Sequence, residues 1–148
     1  MKKGKVKLLS AAIMLSGLLA VSPAIADDET FPIKIIDKYE DIEGAGYSDK
    51  QIDGSLYYVY GSDEKRANLD FHNDQKFSAD KYEFKNNSTT GNGTIISVEG
   101  HAKIDDIGGY TFSGNTAQGK GGVIYVNATK NGWAHIDDSS FENNKASL

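Results

Sequence analysis

Three segments of the chain align on a phenylalanine: Phe84-Lys-Asn-Asn87, Phe112-Ser-Gly-Asn115 and Phe141-Glu-Asn-Asn144, spaced 28 and 29 residues apart. Gly93 and Gly121 each follow their Phe by nine residues. After each comes a β-branched run, Thr94-Ile95-Ile96-Ser97-Val98 and then Gly122-Val123-Ile124-Tyr125-Val126. A third element recurs as His101-Ala-Lys-Ile104-Asp105-Asp106 and Ala134-His135-Ile136-Asp137-Asp138. A helical repeat would need apolar residues at i, i+3, i+4 and i+7. Here Gly, Asn, Ser and Thr punctuate short β-branched runs, which favours strands between turns.

One supersecondary unit repeated at this period reads as an all-β solenoid whose coils stack about 4.8 Å apart. Equivalent residues then form columns. Phe84, Phe112 and Phe141 make an aromatic stack. Ile96 with Ile124, Val98 with Val126, and Ile104 with Ile136 make aliphatic columns. Asn87, Asn115 and Asn144 sit at a bend, where an amide can bond the next coil and left-handed backbone is tolerated. Gly93 and Gly121 occupy another bend, where positive φ or close approach is needed, and Gly122 follows as the start of the next run.

The Phe-x-x-Asn motif with a Gly-Gly-x-Ile strand resembles the repeat of the chlamydial-type polymorphic outer-membrane proteins. Phe112-Ser-Gly-Asn115 with Gly121-Gly122-Val123-Ile124 is the best copy, with Val123 where that family has Ala. The resemblance covers residues 84–148. It implies a right-handed parallel β-helix and an autotransporter passenger, exposed at the surface and associated with adhesion. Residues 27–83 are expected to form an N-terminal cap with irregular β coils. The strand around Gly54 to Tyr60 is the clearest feature there. The repeat that starts at Phe141 stops before its glycine and strand. The last coil is therefore expected to be incomplete, as in a fragment of a longer surface protein, and open to self-association or to a continuing passenger chain.

The N-terminus bears on location. Met1 to Lys7 is basic, Leu8 to Val21 is apolar, and Ala24-Ile25-Ala26 precedes Asp27-Asp28-Glu29. This is the order of a secretory signal with cleavage after Ala26. Fourteen residues rise about 21 Å as a helix, short of a membrane span. Export to the outer-membrane surface or beyond is expected, or to the periplasm if the chain is retained there. Four of the 16 basic residues lie in this segment and none of the 21 acids does. The remaining 122 residues therefore carry 12 basic and 21 acidic groups, a charge of −9. Such a chain is repelled by phosphate, so nucleic acid is not an expected partner. A host or envelope surface ligand is. The absence of Cys excludes disulfides, thiol catalysis and Cys-based metal sites.

A rival reading is a small secreted polysaccharide-acting enzyme or carbohydrate-binding β-helix module. Its candidate groups are Asp105, Asp106, Asp137 and Asp138, which stacking would bring onto neighbouring coils near a hard cation, with His101, His135 and Lys103. No calcium loop of the Asp-x-Asp-x-Asp-Gly kind is present. The preferred reading is a non-catalytic chain without a cofactor. Trp133 and Tyr57-Tyr58-Tyr60 read as core or cap aromatics, with a sugar- or protein-binding platform as the alternative. His72 has no partner legible in the sequence.

Overall fold

A computed structural model of the chain describes residues 34–148; the expected signal segment and its cleavage site lie outside the described residues. Among the described residues, fifteen strands wind through four coils. The first coil is β1 (Lys34–Ile36), β2 (Tyr39–Glu43), β3 (Tyr47–Ser48) and β4 (Gln51–Ile52). The second is β5 (Tyr57–Gly61), β6 (Ala67–His72), β7 (Glu83–Lys85) and β8 (Ser88–Thr89), with a 3-10 turn at Ala79–Tyr82. The third is β9 (Ile96–Gly100), β10 (Ala102–Ile107), β11 (Thr111–Ser113) and β12 (Thr116–Ala117). The fourth is β13 (Ile124–Ala128), β14 (Ser140–Glu142) and β15 (Lys145–Ala146).

Each strand pairs in parallel with its counterpart one coil away. The sheets run β1-β5-β9-β13, β2-β6-β10, β3-β7-β11-β14 and β4-β8-β12-β15. Two parallel bridges, Ile104 with Ala134 and Gly108 with Asp137, carry the second sheet onto the fourth coil. This is a parallel β-helix. A coil opens on the strand after the glycines and closes on the Phe-x-x-Asn corner. The third such corner therefore closes a fourth coil.

The strands stay short because the chain turns at fixed points. At the corner between the third and fourth sheets stand Asp49, Asn86, Gly114 and Asn143, with φ of 56°, 54°, 65° and 55°. Only Gly, Asn and Asp take this left-handed backbone at low cost. The bending residue is thus one position before the expected asparagine, which leaves Asn87, Asn115 and Asn144 free to bond. At the other bend Gly93 and Gly121 have φ of 59° and 63°, and a Cβ there would collide with the carbonyl of Ile96 or Ile124.

Alternation along each strand fills the interior. Val59, Leu69, Phe71, Phe84, Ile96, Val98, Ile104, Ile107 and Phe112 are all fully buried. Phe84 pairs with Phe112, and Phe112 with Phe141. Ile96 pairs with Ile124 and Val98 with Val126. The expected Ile104–Ile136 column does not form. Ile104 bridges to Ala134, and Ile136 is 43% exposed. A register shift at Asp105 is the companion of this change. The extra residue lets Ile104 and Ile107 both face inward, so a plain two-residue alternation misplaces the residues beyond Asp105. Tyr57 is buried, whereas Tyr60 and Trp133 are exposed, so the aromatic cluster is not uniformly core.

The segment expected to be a cap with irregular coils contains all of coil 1 and most of coil 2; residue 84 lies inside β7. Coil 1 carries a degenerate corner, Tyr47-Ser-Asp-Lys50. Tyr47 pairs with Phe84, and Ile52, five residues on, pairs with Thr89.

Candidate functional site

The Phe-x-x-Asn corners build a polar ladder inside an apolar wall. The Asn115 amide uses all of its bonding capacity. Its Nδ2 donates to the Phe84 carbonyl at 2.9 Å and to Asn144 Oδ1 at 3.0 Å. Its Oδ1 accepts from the Asn87 backbone N–H and from Asn87 Nδ2, both at 3.0 Å. Asn87 repeats the pattern one coil earlier. It donates to the Tyr47 carbonyl at 2.9 Å and accepts from the Lys50 N–H at 3.1 Å. Asn144 repeats it one coil later, donating to the Phe112 carbonyl at 2.8 Å and accepting from the Asn115 N–H at 2.9 Å. Asn87 and Asn115 are fully buried.

The ladder has a direction. Each backbone N–H at this position is received by the asparagine oxygen of the following coil. Among the described residues no asparagine stands beyond Asn144 to receive its N–H. Beside the ladder the rings stack in the same sense. Phe84 and Phe112 lie 5.4 Å apart at 4°, and Phe112 and Phe141 lie 4.8 Å apart at 16°. Phe112 is covered on both faces. Phe141 is covered on one and is 42% exposed. The face of coil 4 is an open concavity of about 600 Å³ lined by Val123, Ile124, Ile136, Phe141 and Asn144.

The aspartates considered for a cation do not converge. Asp105 pairs with Lys103, Asp106 lies 3.1 Å from His135 Nδ1, and the Asp138 N–H folds back onto the Asp137 carboxylate at 3.0 Å. Asp137 bridges to Gly108, not to Asp105 or Asp106. His101 and Lys103 lie at the start of the same segment, with the Lys103 ammonium 4.9 Å from the Trp133 ring. Register instead aligns Asp106, Asp70 and Asp41 down the second sheet. Burial raises the Asp70 carboxyl above its usual range; its hydrogen bond from Tyr39 opposes this, and the charges of Asp41 and Asp106 add to it. His72 stands at the foot of this column, with Nδ1 2.5 Å from Asp41 and Nε2 3.6 Å from Glu43 and 4.0 Å from Asp74. Lys76 ties Glu43 and Asp74 together at 3.0 and 2.8 Å. Among the described residues, Asp41 with Asp70 and His72, and Glu43 with His72 and Asp74, are the groups whose ligand atoms lie within 4.8 Å of one another. Sequence reasoning missed them because Asp41 and Glu43 come from coil 1, whose corner motif is degenerate.

The corner at Phe112, the following glycines and the strand that opens coil 4 are the region where a family comparison succeeds. Residues 109–127 match the Chlamydia polymorphic membrane protein repeat. The match takes in Phe112, Asn115, Gly121, Gly122 and Ile124, the residues on which the resemblance rests. It therefore spans the corner closing coil 3 and most of β13. No curated protein and no solved structure matches the chain.

Proposed function

We propose that the chain is a secreted or surface-exposed β-helix protein of the autotransporter-passenger, adhesin-like type. The observation that carries this reading is the polymorphic membrane protein repeat at residues 109–127, folded as a working corner of the solenoid. Proteins of that family act at the outer-membrane surface, and the signal-like N-terminus supplies the route. The proposed role is binding and not catalysis. In support, Asp105 and Asp106 are engaged with Lys103 and His135. The ligand in this reading is a host or envelope surface molecule.

Two measurements on producing cells test it together. Mass spectrometry of the exported chain is expected to find Asp27 at its N-terminus. Protease added to intact cells is expected to cleave the chain. An intact Met1 terminus on a protease-protected cytoplasmic product would overturn the proposal.

A further inference from the structure

We propose that Glu43, His72 and Asp74 form a binding site for one divalent transition-metal ion, and that Zn²⁺ is the ion it suits. The inference goes beyond the surface-protein reading and uses none of its evidence. Register creates the site. Glu43 ends β2, His72 ends β6, and the two are partners across the second sheet. Asp74 follows in residues 73–82, the connection from β6 to β7; the equivalent connection in coil 3 is only residues 108–110. The ligand atoms of Glu43, His72 and Asp74 lie within 4.8 Å of one another. One imidazole among carboxylates suits zinc better than calcium or magnesium, which take oxygen ligands.

Spacing distinguishes this group from an ordinary ion-pair network. Zinc bonds nitrogen and carboxylate oxygen at about 2.0–2.2 Å, so the ligand atoms of a tetrahedral site stand about 3.4 Å apart. His72 Nε2 lies 3.6 Å from Glu43 Oε2 and 4.0 Å from Asp74 Oδ2. Those gaps are too long for hydrogen bonds and close to the edges of a zinc tetrahedron. Asp41, by contrast, stands 2.5 Å from His72 Nδ1, which leaves no room for an ion between them. Its role is positioning: a carboxylate on Nδ1–H fixes the ring and leaves the Nε2 lone pair to the metal. Glu43 is held in the same way. Its Oε1 accepts from the Tyr82 hydroxyl and from the Asp74 N–H, both at 3.1 Å, while Oε2 faces the histidine. A second observation marks the place as one that takes a cation. The Lys76 ammonium lies 3.0 Å from Glu43 Oε2 and 2.8 Å from Asp74 Oδ2, the two oxygens the ion would use. Lys76 is therefore the metal's rival, and its mostly exposed side chain can swing into water when the ion binds. Zinc would add the His72 nitrogen as third ligand and keep a water as the fourth.

The test is calorimetric titration of the untagged, purified chain with zinc chloride. Saturable binding of one equivalent is expected, and X-ray absorption at the zinc edge should show one imidazole in the coordination shell. His72→Ala should weaken binding at least about tenfold and remove the imidazole signature. Asp41→Ala should weaken it about tenfold, and Asp41→Asn, which keeps an acceptor for Nδ1–H, should fall between it and the parent. Lys76→Met should bind severalfold more tightly, because it removes the competing ammonium. That gain cannot come from a variant that fails to fold. Three results would overturn the proposal: no saturable binding of Zn²⁺, an affinity indifferent to His72→Ala, which would mean adventitious binding to surface acids only, or a Lys76→Met variant that binds no tighter than the parent. None of them bears on where the protein resides, which the cell-surface measurements read separately.

Discussion

Asn115 and Asn144 occupy equivalent positions yet stand in different environments, and that contrast makes the ladder testable. Asn115 is buried with every amide group bonded, so an aspartate there would turn a carboxylate oxygen toward the Phe84 carbonyl and Asn144 Oδ1. Burying a charge whose second oxygen faces two acceptors costs at least about 2 kcal/mol. Asn115→Asp should therefore destabilise strongly at neutral pH. The loss should shrink in acid, where a protonated carboxyl regains one donor. Asn144→Asp, half-buried at the edge, should lose much less. Denaturant melts of both variants at two pH values check this, and equal losses would deny the ladder its burial gradient. The rings follow the same logic. Phe112→Ala removes a side chain enclosed on both faces and should cost about 3–5 kcal/mol. Phe141→Ala, with one face already in water, should cost clearly less.

At the scale of the element, the second sheet departs most from a regular solenoid. Its outer face aligns Asp41, Asp70 and Asp106, and the raised Asp70 carboxyl records the burial and crowding of that charge. A carboxyl whose folded pKa is raised favours folding below its unfolded value, near about 3.9, and loses that contribution as pH rises through the folded value. Asp70→Asn keeps an acceptor for the Tyr39 hydroxyl and removes the charge. The variant should melt higher than the parent at pH 7, and the gain should vanish near pH 3. A gain that persists in acid would point to packing instead of charge. This sheet also shows what the sequence could and could not convey. Columns carried by a repeated motif, such as Phe84–Phe112–Phe141, were legible because spacing alone identifies them. Ile104–Ile136 was misread because one extra residue at Asp105 changes the inward face without changing composition. The His72 cluster was invisible for another reason. Two of its partners, Asp41 and Glu43, sit on coil 1, where Tyr47 and Lys50 stand in for Phe and Asn and hide the repeat.

The whole molecule is a one-dimensional stack, so stability should vary along its axis. Each coil pairs its strands only with its neighbours, and coil 4 is held by one strand interface plus the Arg66–Asn131 and Asp63–Lys130 contacts to coil 2. Coils 2 and 3 are enclosed: Val59, Leu69, Val98, Ile104 and Phe112 are all fully buried. Coil 4 is different. Val126, Ile136 and Phe141 are each more than two-fifths exposed, and the second sheet reaches this coil through two isolated bridges. Opening coil 4 breaks one interface and exposes surface that is already partly wet, whereas opening coil 3 breaks two and uncovers the core. Amides of β9 to β11 should therefore exchange only through global unfolding, and those of β13 to β15 through a cheaper local opening. Native-state hydrogen exchange across a denaturant series reads this directly. Protection in β13 to β15 should be lower and nearly independent of denaturant, while β9 to β11 should follow the global transition. Gly121→Ala sharpens the test, because it strains the bend that launches coil 4 against the Ile124 carbonyl. It should lower protection in β13 to β15 more than in β6. A uniform loss across all four coils, or uniform protection in the parent, would mean that the solenoid unfolds as one unit and that its exposed end is no weaker than its middle.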